Sequence, residues 1–220
     1  MRKKLLKKLQ LENFKCFQKS TINFKELTIL VGENNAGKSC LVESLRLVAK
    51  AAQSATTKAY RKAPEVFDLP AHIKGFFIDS DKLKIDLAII IYQYNSSKFA
   101  KIKAFYEDKS SIEIYLNTDL AFAIIYDSNG SVITNKQQAS KLGMERIGIL
   151  PQIGPIRENE KMLSNETVFS DKDTYLSSLH FRNEIYFWRD TYYDEFKSNA
   201  ESTWVGLRIE DIEYNYIESE

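Results

Sequence analysis

An α/β fold is predicted for this chain, with an apolar strand and a helix flanking a glycine-bounded loop, an antiparallel β-block beside them and a helical C-terminal region. Three observations predict it. The apolar run Ile29, Leu30 and Val31 leads into Gly32-Glu33-Asn34-Asn35-Ala36-Gly37-Lys38-Ser39, and helix-spaced apolar residues follow at once. Several later segments alternate polar and apolar residues with a period of two, as half-buried strands do. Beyond residue 173, apolar residues that include many aromatics recur at helical spacing.

Taken in order, residues 8–17 largely alternate, as do 21–24 and 27–31, so antiparallel strands are expected to lead into the strand before the loop. Leu41, Leu45, Val48 and Ala52 then repeat at helical spacing and predict a helix from 38 to about 54 whose apolar face packs on the sheet. Residues 55–70 turn polar and irregular. Pro64 and Pro70 limit regular structure there, and the stretch reads as a surface excursion. Strands are expected at 85–92, 99–106, 112–116 and 122–126, where β-branched and aromatic residues are frequent. Ser128-Asn129-Gly130 supplies a tight turn before residues 132–134. A short helix at 137–142 and a strand ending at Leu150 follow. Past the turn-rich stretch between Pro151 and Pro155, residues 173 to about 199 predict one long helix. Its aromatic stripe reads as packing. Residues 208–216 partly alternate like a last strand.

The loop spacing is G-x-x-x-x-G-K-[ST] without a mismatch, and the strand before it and helix after it are the context that motif requires. This is a phosphate-binding P-loop. Gly32 and Gly37 admit backbone conformations closed to residues with a Cβ, so that successive N–H groups converge on phosphate oxygens. The helix N-terminus adds unpaired N–H groups and the positive end of its dipole. Lys38 is expected at the β and γ phosphates and the Ser39 hydroxyl on Mg²⁺. The nucleotide-contacting set is Gly32, Glu33, Asn34, Asn35, Ala36, Gly37, Lys38, Ser39 and Cys40, the last packing under the helix as a small apolar side chain.

Composition narrows the remaining classes. Thirty-one basic against 30 acidic residues give a net charge of +1, so any nucleic-acid surface must be local. The clearest basic run is Arg2, Lys3, Lys4, Lys7 and Lys8, which reads as a solvated edge. Two cysteines, Cys16 and Cys40, show no metal-ligand spacing. His72 and His180 fall in no hydrolase signature. No run approaches the ~18 apolar residues of a membrane span, and the chain reads as cytosolic.

The opening Leu11-Glu12-Asn13-Phe14-Lys15-Cys16-Phe17, followed by the loop, resembles the start of ABC-type ATPase heads of the SMC, RecF and OLD group. The resemblance implies a P-loop NTPase, the N-terminal half of such a head, whose first strands form an antiparallel β-subdomain. Residues 149–157, Ile-Leu-Pro-Gln-Ile-Gly-Pro-Ile-Arg, look like the segment in which a glutamine reaches Mg²⁺ and the attacking water, and Gln152 is the candidate. Residues 175–183 and 203–209 are similar to ATPases of bacterial antiphage defence, closest to the Septu type that also acts as a retron effector. This implies an ATP-driven homo-oligomer, an HNH-type nuclease partner, and nucleic acid or retron components. On this reading residues 1–157 form the N-terminal lobe and 158–220 a helical extension toward a second half of the head.

The sequence departs from that family after Gln152: no apolar strand ending in Asp-Glu, no Ser-Gly-Gln signature loop and no switch histidine follow. A non-hydrolysing, ATP-binding regulatory half-domain is therefore one alternative. A repair or recombination ATPase of the RecF or SMC type, or an OLD-family nuclease, is another. A small P-loop kinase fits poorly, because a long antiparallel block rather than a prompt parallel crossover follows the first helix.

Overall fold

The computed structural model describes residues 5–79, 85–95, 97–144, 147–148, 160–171 and 175–210. The chain divides into two compact units, Met1–Ile149 and Leu150–Glu220.

The first unit is built on a seven-stranded sheet, in which every pairing is antiparallel. Its strands are β1 (Leu6–Phe14), β2 (Phe17–Asn23), β3 (Arg61–Lys62), β4 (Lys74–Phe77), β5 (Ala100–Tyr106), β6 (Ser111–Leu116) and β7 (Ala121–Tyr126), in the order β2-β1-β5-β6-β7-β4-β3. Period-two patterning sends Leu9 and Leu11 of β1, Ile102 and Ala104 of β5, and Ile112 and Ile114 of β6 into one core. Helix α1 (Lys38–Ser54) lies against β5 and β6. Its Leu41, Leu47, Val48 and Ala51 join the same core. Each large aliphatic side chain so buried contributes roughly 1.5–3 kcal/mol, which ties the helix after the loop firmly to the sheet.

The opposite face of the sheet is divided. Phe122 and Ile124 of β7 and Tyr115 of β6 pack with Phe67 and Ile73 into a second apolar cluster, so the stretch at 55–70 expected as a surface excursion instead buries Phe67 on the sheet. Toward β5 the face turns polar around Glu113, which is 5% exposed. Lys101 and Lys103 reach its carboxylate at 3.2 and 2.5 Å, and the Tyr115 hydroxyl donates to it at 2.7 Å. Burial, the largest influence, pushes the Glu113 carboxyl up. The bonds from Lys103 and Tyr115 and the charges of both lysines outweigh it, leaving the group below its ordinary value.

The expected helix over 38 to 54, the strands at 99–106, 112–116 and 122–126, and the short helix at 137–142 all have counterparts, the last as α2 (Lys136–Leu142). The turn at 128–130 forms with Gly130 at φ 81°, and Asp127 accepts from the Asn129 and Ser131 amides at 2.9 and 2.8 Å.

Other expectations are corrected. Residues 85–92 are no strand: 3₁₀ turns at Leu87–Ile89 and Tyr92–Tyr94 replace it, with one isolated bridge from Ile91 to Phe14. Asp86 caps the first turn by accepting from the Ala88 amide at 2.9 Å, and Gln93 and Tyr94 take positive φ. Residues 27–31 are not in a strand either. Leu27, Ile29 and Val31 are 78%, 73% and 87% exposed, because no neighbouring strand pairs with them among the described residues. β4 was not anticipated. It seats on β7 where Gly75 lets the backbones meet, since a Cβ there would stand 2.1 Å from the Ala123 carbonyl oxygen.

The second unit holds α3 (Asn165–Asp171), a 3₁₀ helix at Tyr175–His180, α4 (Phe181–Trp188) and α5 (Tyr193–Thr203). The single long helix expected from 173 is therefore broken. Asn183, 3% exposed, organises this unit. Its amide nitrogen Nδ2 donates to the Glu160 carboxylate at 2.5 Å and the Lys161 carbonyl at 3.0 Å, and its Oδ1 accepts from the Leu163 amide at 2.8 Å. The aromatic stripe divides: Tyr193 is buried, whereas Tyr192 and Phe196 are exposed. His180 contacts the Asp171 carboxylate at 3.2 Å, and His72 is exposed. The strands expected to end at Leu150 and to span 208–216 fall largely outside the described residues.

Candidate phosphate-binding site

The loop begins where β2 ends and finishes at the first turn of α1. The Phe24 amide donates to the Lys7 carbonyl at 2.8 Å, the last rung of the hairpin, and Lys25 donates to Thr28 Oγ1 at 3.0 Å. Glu33 to Ala36 then close a turn, with the Ala36 amide donating to the Glu33 carbonyl at 3.2 Å and Asn35 at φ 67°. Asparagine tolerates that left-handed conformation better than most residues with a side chain. Gly37 follows at φ 91° and is the N-cap of α1.

Gly37 has a second reason to lack a Cβ. One placed there would lie 2.8 Å from Cys16 Sγ and 2.9 Å from Phe17 Cζ. The two-residue hairpin loop Lys15-Cys16 between β1 and β2, with Phe14 opposite Phe17, therefore forms a floor under the end of the phosphate loop. The hairpin is anchored independently: the Lys15 amide donates to the Ile90 carbonyl at 2.7 Å, and the Lys15 ammonium pairs with the Glu43 carboxylate of α1.

Lys38 Nζ donates to the carbonyls of Gly32 and Glu33, each at 2.7 Å, so the ammonium spans the loop and draws its start toward its end. Ser39 is exposed at the head of α1, Gly37 is buried, and residues 32–36 are exposed. The site thus offers a cation at the loop, a hydroxyl at the helix start and a 17-residue helix directed at the same place. That donor set suits a polyphosphate with a divalent cation: amides and Lys38 for phosphate oxygens, Ser39 for the metal. Cys40 is half-buried and packs partly on the main core. Gln152 lies outside the described residues.

The sequence reading missed the floor. Lys15, Cys16 and Phe17 belong to the opening segment that carries the family resemblance, but neither that resemblance nor period-two alternation says that they lie under the phosphate loop. A charge pair such as Lys15 and Glu43, far apart in sequence, has no local signal.

Fold and loop together define a P-loop NTPase. A profile of the AAA ATPase domain family matches residues 5–216, and the chain belongs to that family of ATP hydrolases. Over 154 residues the chain is 29% identical to the chromosome partition protein Smc of Halothermothrix orenii, covering 67% of this chain and 12% of that protein. It therefore spans about an eighth of that relative's length. A solved structure from work on the ATP-driven dimerisation and DNA-stimulated activation of SMC ATPases aligns with 76% of this chain and 98% of its own, at 18% identity and a TM-score of 0.42. No helix among the described residues is long and apolar enough to cross a membrane.

Proposed function

We propose that this chain binds ATP with Mg²⁺ through residues 32–39 and serves as the nucleotide-binding lobe of an ABC-type ATPase head. The observation that carries this reading is Lys38, whose ammonium bridges the Gly32 and Glu33 carbonyls at 2.7 Å across a loop that opens to solvent. The loop amides and the α1 N-terminus hold and orient the polyphosphate. Lys38 offsets charge on its outer phosphates, and the Ser39 hydroxyl supplies an oxygen to Mg²⁺. When bound, Mg²⁺ neutralises phosphate charge. On the resemblance alone, Gln152 is a second contact to the metal and the attacking water, residues 1–157 are the lobe, and 158–220 extend toward the other half of the head.

The exposed apolar segment at 27–31 supports an incomplete head, because a strand before a P-loop is normally covered by neighbours on its sheet. In our reading a complementing segment lays strands there and brings the acidic strand and signature loop that these 220 residues lack. Two copies then sandwich ATP, and this lobe by itself binds without turnover. The finer role we assign is in a bacterial cytoplasmic antiphage-defence complex of the Septu type with nucleic-acid or retron components, where the ATP state governs an HNH-type nuclease acting on nucleic acid. It is supported by the likeness at 149–157, 175–183 and 203–209. The similarity to an Smc protein favours a second reading, a chromosome-maintenance or recombination ATPase.

The test is Mg²⁺-dependent ATP binding measured by calorimetry, for this chain and for Lys38→Ala. Loss of the ammonium should weaken binding by roughly tenfold or more, since a charged hydrogen bond is worth about 1.5–3 kcal/mol. Equal affinity in the two proteins would remove the phosphate-site reading. Turnover by this chain alone would remove the claim that it needs a complement. Co-purification with an HNH nuclease, against stimulation by DNA without one, separates the two cellular readings.

A further inference from the structure

The polar face of the sheet, opposite α1, is hollowed where β2, β1 and β5 run side by side. A cleft of about 300 Å³ there is lined by Gln10 and Glu12 of β1, Lys19 and Thr21 of β2, and Lys101 and Lys103 of β5. Strand register explains the grouping. Gln10 stands between Thr21 and Lys103, and Glu12 stands likewise between Lys19 and Lys101. Period-two alternation sends all six away from Leu9, Leu11 and Ile102, which share a core with α1. The cleft therefore lies on the other side of the sheet from the helix that the phosphate loop opens.

Two of the lysines are held in place before any ligand arrives. Lys101 and Lys103 share the Glu113 carboxylate at 3.2 and 2.5 Å, and their ammoniums stand 4.9 Å from the Tyr115 ring and 5.0 Å from the Phe105 ring. Such contacts fix long side chains whose rotamers are otherwise free. Both lysines are 28% exposed, and an ammonium has three N–H groups, more than Glu113 engages. Lys19, Lys101 and Lys103 against Glu12 and Glu113 leave one positive charge over. Lys8, on the same face and 4.2 Å from the Phe105 ring, adds another.

We propose that this cleft binds a small phosphomonoester with a hydroxyl-bearing body, of the sugar phosphate class. Lys103, Lys101 and the Thr21 hydroxyl donate to the phosphate oxygens, and the surplus positive charge matches a phosphate near neutral pH. Glu12 accepts from a ligand hydroxyl, and the Gln10 carboxamide both donates and accepts. Glu12 also decides against the backbone of a nucleic acid, because a continuous polyanion crossing from Lys19 to Lys101 meets its carboxylate. No aromatic side chain among the described residues lines the cleft, so nothing there stacks a base.

The cleft is independent of the ATP reading above, and a Lys38→Ala background keeps the two sites apart. The 220-residue chain and its Lys38→Ala form are titrated with ribose 5-phosphate, ribose and inorganic phosphate, followed by amide chemical shifts and calorimetry. We expect ribose 5-phosphate to shift amides 10–12, 19–21 and 101–103 equally in both proteins, inorganic phosphate to do so more weakly, and ribose not at all. Lys103→Gln should weaken binding about tenfold, and Lys19→Gln and Thr21→Val about threefold each, with ATP binding at the loop unchanged. Because Lys103 also supports Glu113, the variants at Lys19 and Thr21, both exposed, decide the matter if Lys103→Gln does not fold. Absence of these shifts at millimolar ribose 5-phosphate, or an affinity that neither Lys19→Gln nor Thr21→Val changes, would overturn the site. Equally tight inorganic phosphate would overturn the ligand class, as would an oligothymidylate without a terminal phosphate that shifts the same amides at lower concentration.

Discussion

Gly37→Ala tests whether the hairpin floor positions the phosphate loop. The residue sits at φ 91°, and an added methyl would meet Cys16 Sγ at 2.8 Å and Phe17 Cζ at 2.9 Å. A left-handed backbone costs a residue with a Cβ roughly 1–2 kcal/mol, and overpacking adds about 1–3 kcal/mol. The sum is about 2–5 kcal/mol, and at roughly 2–4 °C per kcal/mol for a protein of this size it should lower the melting temperature by about 5–20 °C. If the loop yields instead, the cost appears as lost ATP affinity at a smaller change in melting. Thermal unfolding and ATP calorimetry on the same preparation separate the two. Adding Cys16→Ala relieves only the sulfur contact, so the double mutant should recover about 0.5–1 kcal/mol relative to additivity. A Gly37→Ala protein that melts within 2 °C of wild type and binds ATP equally would refute the argument, including the role of the floor.

Three further outcomes follow from other parts of the molecule. Gly75→Ala should be more disruptive, because its methyl would stand 2.1 Å from the backbone oxygen of Ala123; we expect a loss of about 3 kcal/mol or more by urea unfolding. Glu113→Gln removes the charge that Lys101 and Lys103 share, and since both lysines are 28% exposed and can rehydrate, the cost at neutral pH should be only about 1–3 kcal/mol. The folded carboxyl titrates below its ordinary value near 4.5, so this stabilisation is complete above that value and is lost as pH falls through the lowered one. Unfolding curves of wild type and Glu113→Gln should therefore converge in acid, and a constant gap would contradict the assignment. Val31→Lys, at a site 87% exposed, should leave the stability of this chain within about 0.5 kcal/mol while abolishing ATP-driven association with a complementing partner, as read by light scattering.

Much of this was legible because the signals were local. Helix α1 announced itself through Leu41, Leu45 and Val48, whose spacing matches one helical face whatever surrounds it. The phosphate loop was legible for the same reason: Gly32, Gly37, Lys38 and Ser39 are required at fixed separations by the backbone geometry of one short turn. Residues 85–92 misled because Ile85, Leu87, Ile89 and Ile91 alternate in the sequence as a strand would, yet Asp86 and the positive φ of Gln93 and Tyr94 turn the chain into 3₁₀ segments that bury Ile90 and expose Ile89. β4 was hidden because its defining feature, contact of Gly75 with Ala123, joins residues far apart in the chain. The helix expected from 173 to 199 broke at Trp188, where a periodic aromatic pattern continued across turn residues that periodicity does not register.

The amino-acid sequence alone determined the chemistry at the loop, since Gly, Lys and Ser at set spacing encode a phosphate cradle through backbone conformation and side-chain type. Only tertiary structure decided what supports that cradle and what is left uncovered. The Lys15, Cys16 and Phe17 floor, its pairing with Glu43 and its approach to Gly37 arise from long-range packing of a hairpin on α1. The exposure of residues 27–31 likewise depends on which strands are present to pair with them, because an apolar run becomes a sheet strand only when neighbours satisfy its backbone.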